Sequence, residues 1–168
     1  MKAFSNPGYM LANARLEVRL AYTGFLALVV VGMATMGIFQ WGHVGPWPAD
    51  IALHFRGGER DGAMVFPKAF RELVELTHAH AFVMGAVYLV LAHLIVATTA
   101  PPRVKIWAVA AGFAGLLGDV IGVWLIRYVS AFFAYTQVVA WTAEWASFVV
   151  LVYYPLRDMW FFQDEDDD

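Results

Sequence analysis

The chain has 168 residues, 61% of them hydrophobic and only 15% charged, with a mean hydropathy of +0.60; soluble domains are nearer about 45–50% apolar and about 25% charged. That composition excludes a water-soluble globule and points to one membrane domain. The absence of cysteine excludes disulfides, thiolate metal sites, iron–sulfur clusters and c-type haem attachment, and the net charge of -3 decides little because the acids cluster in a tail and no basic patch suggests nucleic acid.

The first ~15 residues are polar, and the apolar run behind them is too long for a signal-peptide core, so the first hydrophobic segment is expected to stay as an anchor. A membrane-crossing helix needs about 20 mostly apolar residues. Four segments qualify, at about residues 20–41, 79–99, 106–126 and 132–154. The expected fold class is therefore all-α, a single integral membrane four-helix bundle. Lys2, Arg15 and Arg19 precede the first span, Arg103 and Lys105 follow the Pro101-Pro102 turn, and Arg157 follows the fourth span. The turn between spans three and four carries only Arg127. Lys and Arg in short flanks mark the cytoplasmic side. The expected location is thus a bacterial inner membrane, multi-pass, with both termini cytoplasmic and the 43–77 loop outside. Trp41 and Trp47 suit the outer interface, and Trp107, Tyr153, Tyr154, Trp160, Phe161 and Phe162 the inner one.

Within the 43–77 loop, Pro67 is well placed to open a helix. Phe70, Leu73, Val74 and Leu76 recur at helical spacing against Lys68, Arg71, Glu72 and Glu75, which predicts an amphipathic helix from about residue 67. It either runs into the second span or lies on the surface. Residues 163–168 hold five acids and read as a solvated cytoplasmic tail.

Helical spacing also assigns faces. Gly112, Gly115, Gly118 and Gly122 line span three, with Gly118–Gly122 and Ala111–Gly115 as small-residue pairs that let helices approach closely. Asp119 shares that face. On span four Gln137, Ala140, Glu144 and Ser147 form one stripe, and on span one Gly32, Met36, Gln40 and His43 form another. Ionisable groups at membrane depth are expensive and functional by default; three qualify, His93, Asp119 and Glu144. Gln40 and Gln137 complete the expected polar interior. Counting helical rise puts His93 and Glu144 at similar depth, which predicts that they pair. Asp119 and Glu144 read either as neutral acids that join helices or as proton carriers beside a quinone or haem. The methionines and tryptophans read as packing or lipid-facing residues.

The most distinctive string is Thr77-His78-Ala79-His80 at the start of span two, followed by Gly85. Histidines two apart on a regular helix diverge by about 200°, so they do not clamp one ion. Either one is a ligand and the other structural, or both cap the helix and meet headgroups. The string resembles His-x-His segments of haem-binding membrane subunits of the haem-copper-oxidase and nitric-oxide-reductase type. The resemblance covers roughly a dozen residues, and the chain lacks the further spans and histidines of those catalytic subunits. It implies a haem iron ligand at His78 or His80.

His78 and His93 also resemble half of a di-haem cytochrome b pattern. Spans three and four hold no histidine, which excludes two bis-histidine haems. One haem b with His43 and His78 or His80, or with Met36 as a thioether ligand, stays open. The expected function is a small redox subunit binding a b-type haem, a quinone or both in the outer half of the bundle. It would serve electron transfer within a larger complex, with membrane lipid and other membrane subunits as partners. The alternative is a non-catalytic accessory subunit of a respiratory or photosynthetic complex. Metal handling by His43, His54, His78 and His80 ranks last, because soft copper handling recruits cysteine or clustered methionine.

Overall fold

The computed structural model describes residues 10–162; the acidic tail at 163–168 and Lys2 lie outside the described residues. Among the described residues, four helices are long and apolar enough to cross a membrane: Leu16–Val44, Phe70–Val96, Pro102–Tyr128 and Phe133–Trp160. The first is α1 (Leu16–Phe39) continued by a π-helical turn, Gln40–Val44. The second is α3 (Phe70–Ala79), a second π-helical turn at His80–Met84, and α4 (Gly85–Val96). The third and fourth are α5 (Pro102–Tyr128) and α6 (Phe133–Trp160). Between the first two lie a short helix α2 (Pro48–Arg56) and a hairpin of β1 (Gly58–Arg60) and β2 (Ala63–Val65).

Three helix boundaries differ from the expected limits for a visible reason. The amphipathic helix does run straight into the second span, but it opens at Phe70 rather than at Pro67. Its first turn is held by Glu72, whose Oε2 accepts the Ala69 N–H at 2.7 Å, the carboxylate half of a capping box. The second span ends at Val96, short of 99, because the chain turns at Thr98, whose hydroxyl donates to Ile95 O at 2.7 Å. The fourth span does not stop before Pro155. It continues to Trp160 with Pro155, Asp158 and Met159 buried. Proline removes one intrahelical bond, and neighbouring helices compensate for it in a membrane bundle.

The hairpin had a legible signal. Asp61 and Gly62 both take positive φ, 54° and 78°, the requirement of a type I′ turn, and Asp-Gly is a preferred pair for it. Helix α2 likewise has Pro48 in its first turn and buries Ile51 and Phe55, one helical turn apart.

Helices α5 and α6 form the closest pairing in the bundle. A Cβ added at Gly112 would lie 2.6 Å from the Ser147 hydroxyl, and one at Gly115 would lie 2.9 Å from the Ala140 carbonyl. Gly118 and Gly122 also meet α6, at Ala140 and Gln137. The glycine stripe therefore admits α6, and the expected pair Gly118–Gly122 is part of it.

Each end of the bundle is fastened by polar contacts. At the end with the 97–101 turn, buried Asp158 accepts from the Thr99 N–H, from the Thr99 hydroxyl at 3.2 Å and from Arg157 at 2.6 Å. Lys105 donates to the carbonyls of Val96 (2.9 Å) and Thr98 (2.6 Å), and Arg19 to those of Ala12 and Ala14, both at 2.7 Å. At the loop end, Arg56 donates to Ile126 O at 2.8 Å and Arg127 to Lys68 O at 2.9 Å. Arg127 is thus a staple between the loop and the 129–132 turn. Ile51, Phe55 and Leu73 pack there against Val123, Ile126 and Ala134 as a second small core.

Candidate functional site

The two π-helical turns bring Gln40 and His80 to the same cavity. A π turn adds a residue to a helical turn and is frequent at functional sites. The cavity, of about 570 Å³, lies between α1, the His80–Met84 turn, α4, α5 and α6. Phe25, Val29, Met33 and Val87 form apolar wall, and Gln40, His80, Asp119 and Glu144 supply the polar groups. A smaller cavity of about 190 Å³ shares Met36, Gln40, His80 and Asp119 with it and extends to His54, Lys68 and Glu72 under the loop.

Each polar group is positioned by the fold. Asp119 Oδ1 accepts the Gln137 side-chain amide and the Trp141 indole N–H, the latter at 2.8 Å. Gln40 Oε1 accepts the Trp145 indole N–H at 3.3 Å. Tyr88 donates to the Glu144 backbone carbonyl at 3.2 Å, fixing α4 against α6. The His80 Nδ1 lies 3.1 Å from Leu76 O; a carbonyl only accepts, so Nδ1 carries hydrogen and the neutral ring leaves Nε2 as the acceptor. The fully buried Gln137 Oε1 has no hydrogen-bond partner among the described residues, an uncompensated desolvation that costs about 1–3 kcal/mol.

The expected interior residues divide. Asp119, Glu144, Gln137 and Gln40 are buried, and Met36 lines both cavities. His93 is a correction: it is exposed and does not pair with Glu144. Its Nδ1 is 2.7 Å from Leu89 O, and the face of α4 that packs inward carries Tyr88, Leu91, Leu94 and Ile95. Equal depth brought no contact, because the two side chains leave their helices in different directions.

His78 and His43 line neither of these two cavities. His78 is exposed, its ring 5.0 Å from that of Phe82. His43 is exposed, its ring 5.1 Å from that of Phe39. Regular-helix counting aligned His43 with Gln40, but both lie in a π turn, where that count fails. Of the two histidines in the string, His80 is the one that faces the cavities. Among the described residues no three of His, Cys, Asp and Glu cluster to hold a metal ion.

Trp141 and Trp145 were missed as site residues. Both line cavities and donate to site residues. Their position on α6 was the available signal, since Trp141 follows Gln137 by four residues and Trp145 follows Glu144 by one.

His54 gives the loop cap a pH response. Burial, then the Lys68 ammonium, holds its pKa below the ordinary 6.5, while Glu72 opposes weakly. A histidine with a depressed folded pKa stabilises the fold above the unfolded value and loses that contribution as pH falls below about 6.5. Thermal melts of detergent-solubilised protein from pH 8 to pH 5 are expected to fall less steeply for His54→Gln than for wild type. Parallel profiles would show that His54 does not couple to folding.

A family model for Aq_1264_TM, a transmembrane helical domain, matches residues 45–166, which is more than half of the chain and includes three of the four spans. The chain belongs to that family. No curated protein matches, and no solved structure matches.

Proposed function

We propose that this member of the transmembrane helical domain family is a small redox subunit that holds a quinone in the larger cavity and serves electron transfer within a larger membrane complex. The observation that carries the reading is one cavity of about 570 Å³ with apolar walls and a few convergent polar groups, the composition of a small-molecule site. When bound, a quinone supplies reversible uptake of electrons together with protons. The apolar walls accommodate its ring and tail. His80 Nε2 and the carboxyls of Asp119 and Glu144 are the groups that hydrogen-bond its oxygens and exchange protons with them. Trp145 holds Gln40, and Trp141 with Gln137 holds Asp119, so these groups are oriented before a ligand arrives.

Titrating the purified protein with a short-chain quinone tests the reading. Saturable quenching of tryptophan fluorescence is expected, because Trp145 lines the cavity, and Glu144→Gln should shift the curve. Quenching that stays linear in quinone concentration would end the proposal. A b-type haem is the second reading of the same cavity. His80 has Nε2 free for iron because Leu76 holds Nδ1, and Met36, on α1, is a second donor lining the same cavity. Oxidised and reduced visible spectra test it: a Soret band lost in His80→Ala supports haem. With neither quinone nor chromophore, the non-catalytic accessory subunit takes its place.

The orientation belongs to the same proposal. Arg19, Lys105 and Arg157 gather at the end with the 97–101 turn. By the Lys/Arg bias this end is cytoplasmic in a bacterial inner membrane, with the α2–hairpin loop outside. Reporter fusions at Asp168 and at Gly58 should read cytoplasmic and external respectively, and the reverse pattern would overturn the topology.

A further inference from the structure

The larger cavity does not end within the protein. Two of its wall residues, Leu28 on α1 and Val83 in the His80–Met84 turn, are 75% and 61% exposed. At ~1.5 Å per residue, Leu28 stands about 18 Å from Leu16 and Val83 about 20 Å from Val96. The two helix ends are on the same side of the membrane, since Leu11 donates to Ala97 O at 2.8 Å. Leu28 and Val83 thus face each other at one depth within the hydrocarbon layer. Gly32, one turn above Leu28, lines the cavity too, and a Cβ added there would meet nothing within 4 Å.

Helix α1 explains the gap. Only 11% of its apolar window is buried, against 39% for α5 and for α6. It is fastened to α6 near both ends, by Trp160 Nε1 to Thr23 Oγ1 at 2.9 Å and by Trp145 to Gln40. Between these ties Leu26 and Met33 pack into the core, while Leu28 and Gly32, which line the cavity, stay exposed. The exposed stretch of cavity wall leaves a window from lipid to the polar groups.

We propose that the gap bounded by Leu28, Gly32 and Val83 is a lateral portal through which a bilayer-dissolved ligand reaches Gln40, His80, Asp119 and Glu144. The proposal deepens the quinone reading and rests on it for the ligand's identity; the portal itself is tested without any quinone. The alternative route is aqueous, through the smaller cavity past His54 and Lys68.

The probe is a small aryl diazirine that partitions into the bilayer, photolysed with the full chain in nanodiscs and read residue by residue by mass spectrometry. Carbene insertion is expected at Met33 and Glu144, buried residues of the cavity wall, as well as at exposed Leu28 and Val83. Gly32→Phe has room for its side chain and should narrow the window, reducing labelling at Met33 and Glu144 at least fivefold. Gly24→Phe, also in open space but outside the cavity lining, should leave labelling unchanged. The proposal is overturned if wild-type labelling stops at Leu28 and Val83. It is equally overturned if Gly32→Phe labels as wild type does, or if a charged, water-soluble diazirine reaches Glu144 more efficiently than the lipophilic one. Stopped-flow quinone quenching separates the two readings. Portal labelling without saturable quenching retains the portal and removes the quinone, whereas saturable quenching at equal rates in Gly32→Phe and wild type does the opposite.

Discussion

Gly115→Leu is expected to prevent assembly of the bundle. A Cβ at this position would sit 2.7 Å from Glu144 Cγ, 2.9 Å from the Ala140 carbonyl and 3.0 Å from the Glu144 backbone nitrogen. Two of these three neighbours are backbone, so no rotamer change relieves them. Overpacking in a core that can adjust costs about 1–3 kcal/mol. Here α5 and α6 must separate, and their contact is the most extensive in the fold, so a loss above about 3 kcal/mol is expected. The measurement is the monodisperse fraction and thermal midpoint in detergent. Gly24→Ala, at a site where a Cβ meets nothing within 4 Å, is the matched control and should melt with wild type or slightly above it. A Gly115→Leu protein that purifies and melts like the control would show that the α5–α6 contact is not what holds the spans together.

His80→Ala is expected to weaken quinone binding at least tenfold, about 1.4 kcal/mol, within the range for losing one hydrogen-bond partner at a buried site. His78→Ala and His43→Ala should bind as wild type does, since both side chains are exposed. If a chromophore is present, it should follow the same order and disappear only with His80. The fluorescence titration and the visible spectrum measure the two effects on the same samples. A loss confined to His78→Ala would transfer the site to the opposite face of the helix and refute the assignment.

These two experiments bear on different kinds of information. The four spans, the glycine stripe on α5 and the stripe Gln137, Ala140, Glu144 and Ser147 on α6 were legible in the sequence. Each depends on local periodicity along one regular helix, and the apolar composition demands that polar groups at membrane depth face protein. Hydropathy sets where helices cross, and small residues set which face another helix can approach.

The site was legible only in part. Asp119, Glu144, Gln40, Gln137 and Met36 were placed inward from spacing alone, and the structure places them so. His43, with His78 or His80, was expected at a cofactor, and His93 against Glu144, by extending ideal helix geometry. That geometry fails at the two π-helical turns, whose sequences Gln40–Val44 and His80–Met84 carry no local mark of a change in winding. It fails for His93 because depth along a helix says nothing about which neighbour occupies the facing side.

The choice of His80 over His78, the recruitment of Trp141 and Trp145, and the opening beside α1 were decided by tertiary structure. They depend on how far apart the helices stand and how each is rotated. Those two quantities follow from the sum of contacts along all four spans, from Gly115 against Ala140 at one contact to Trp160 against Thr23 at another. No single helix encodes that sum, because each span is apolar enough to cross the membrane in any rotation until its neighbours pack against it.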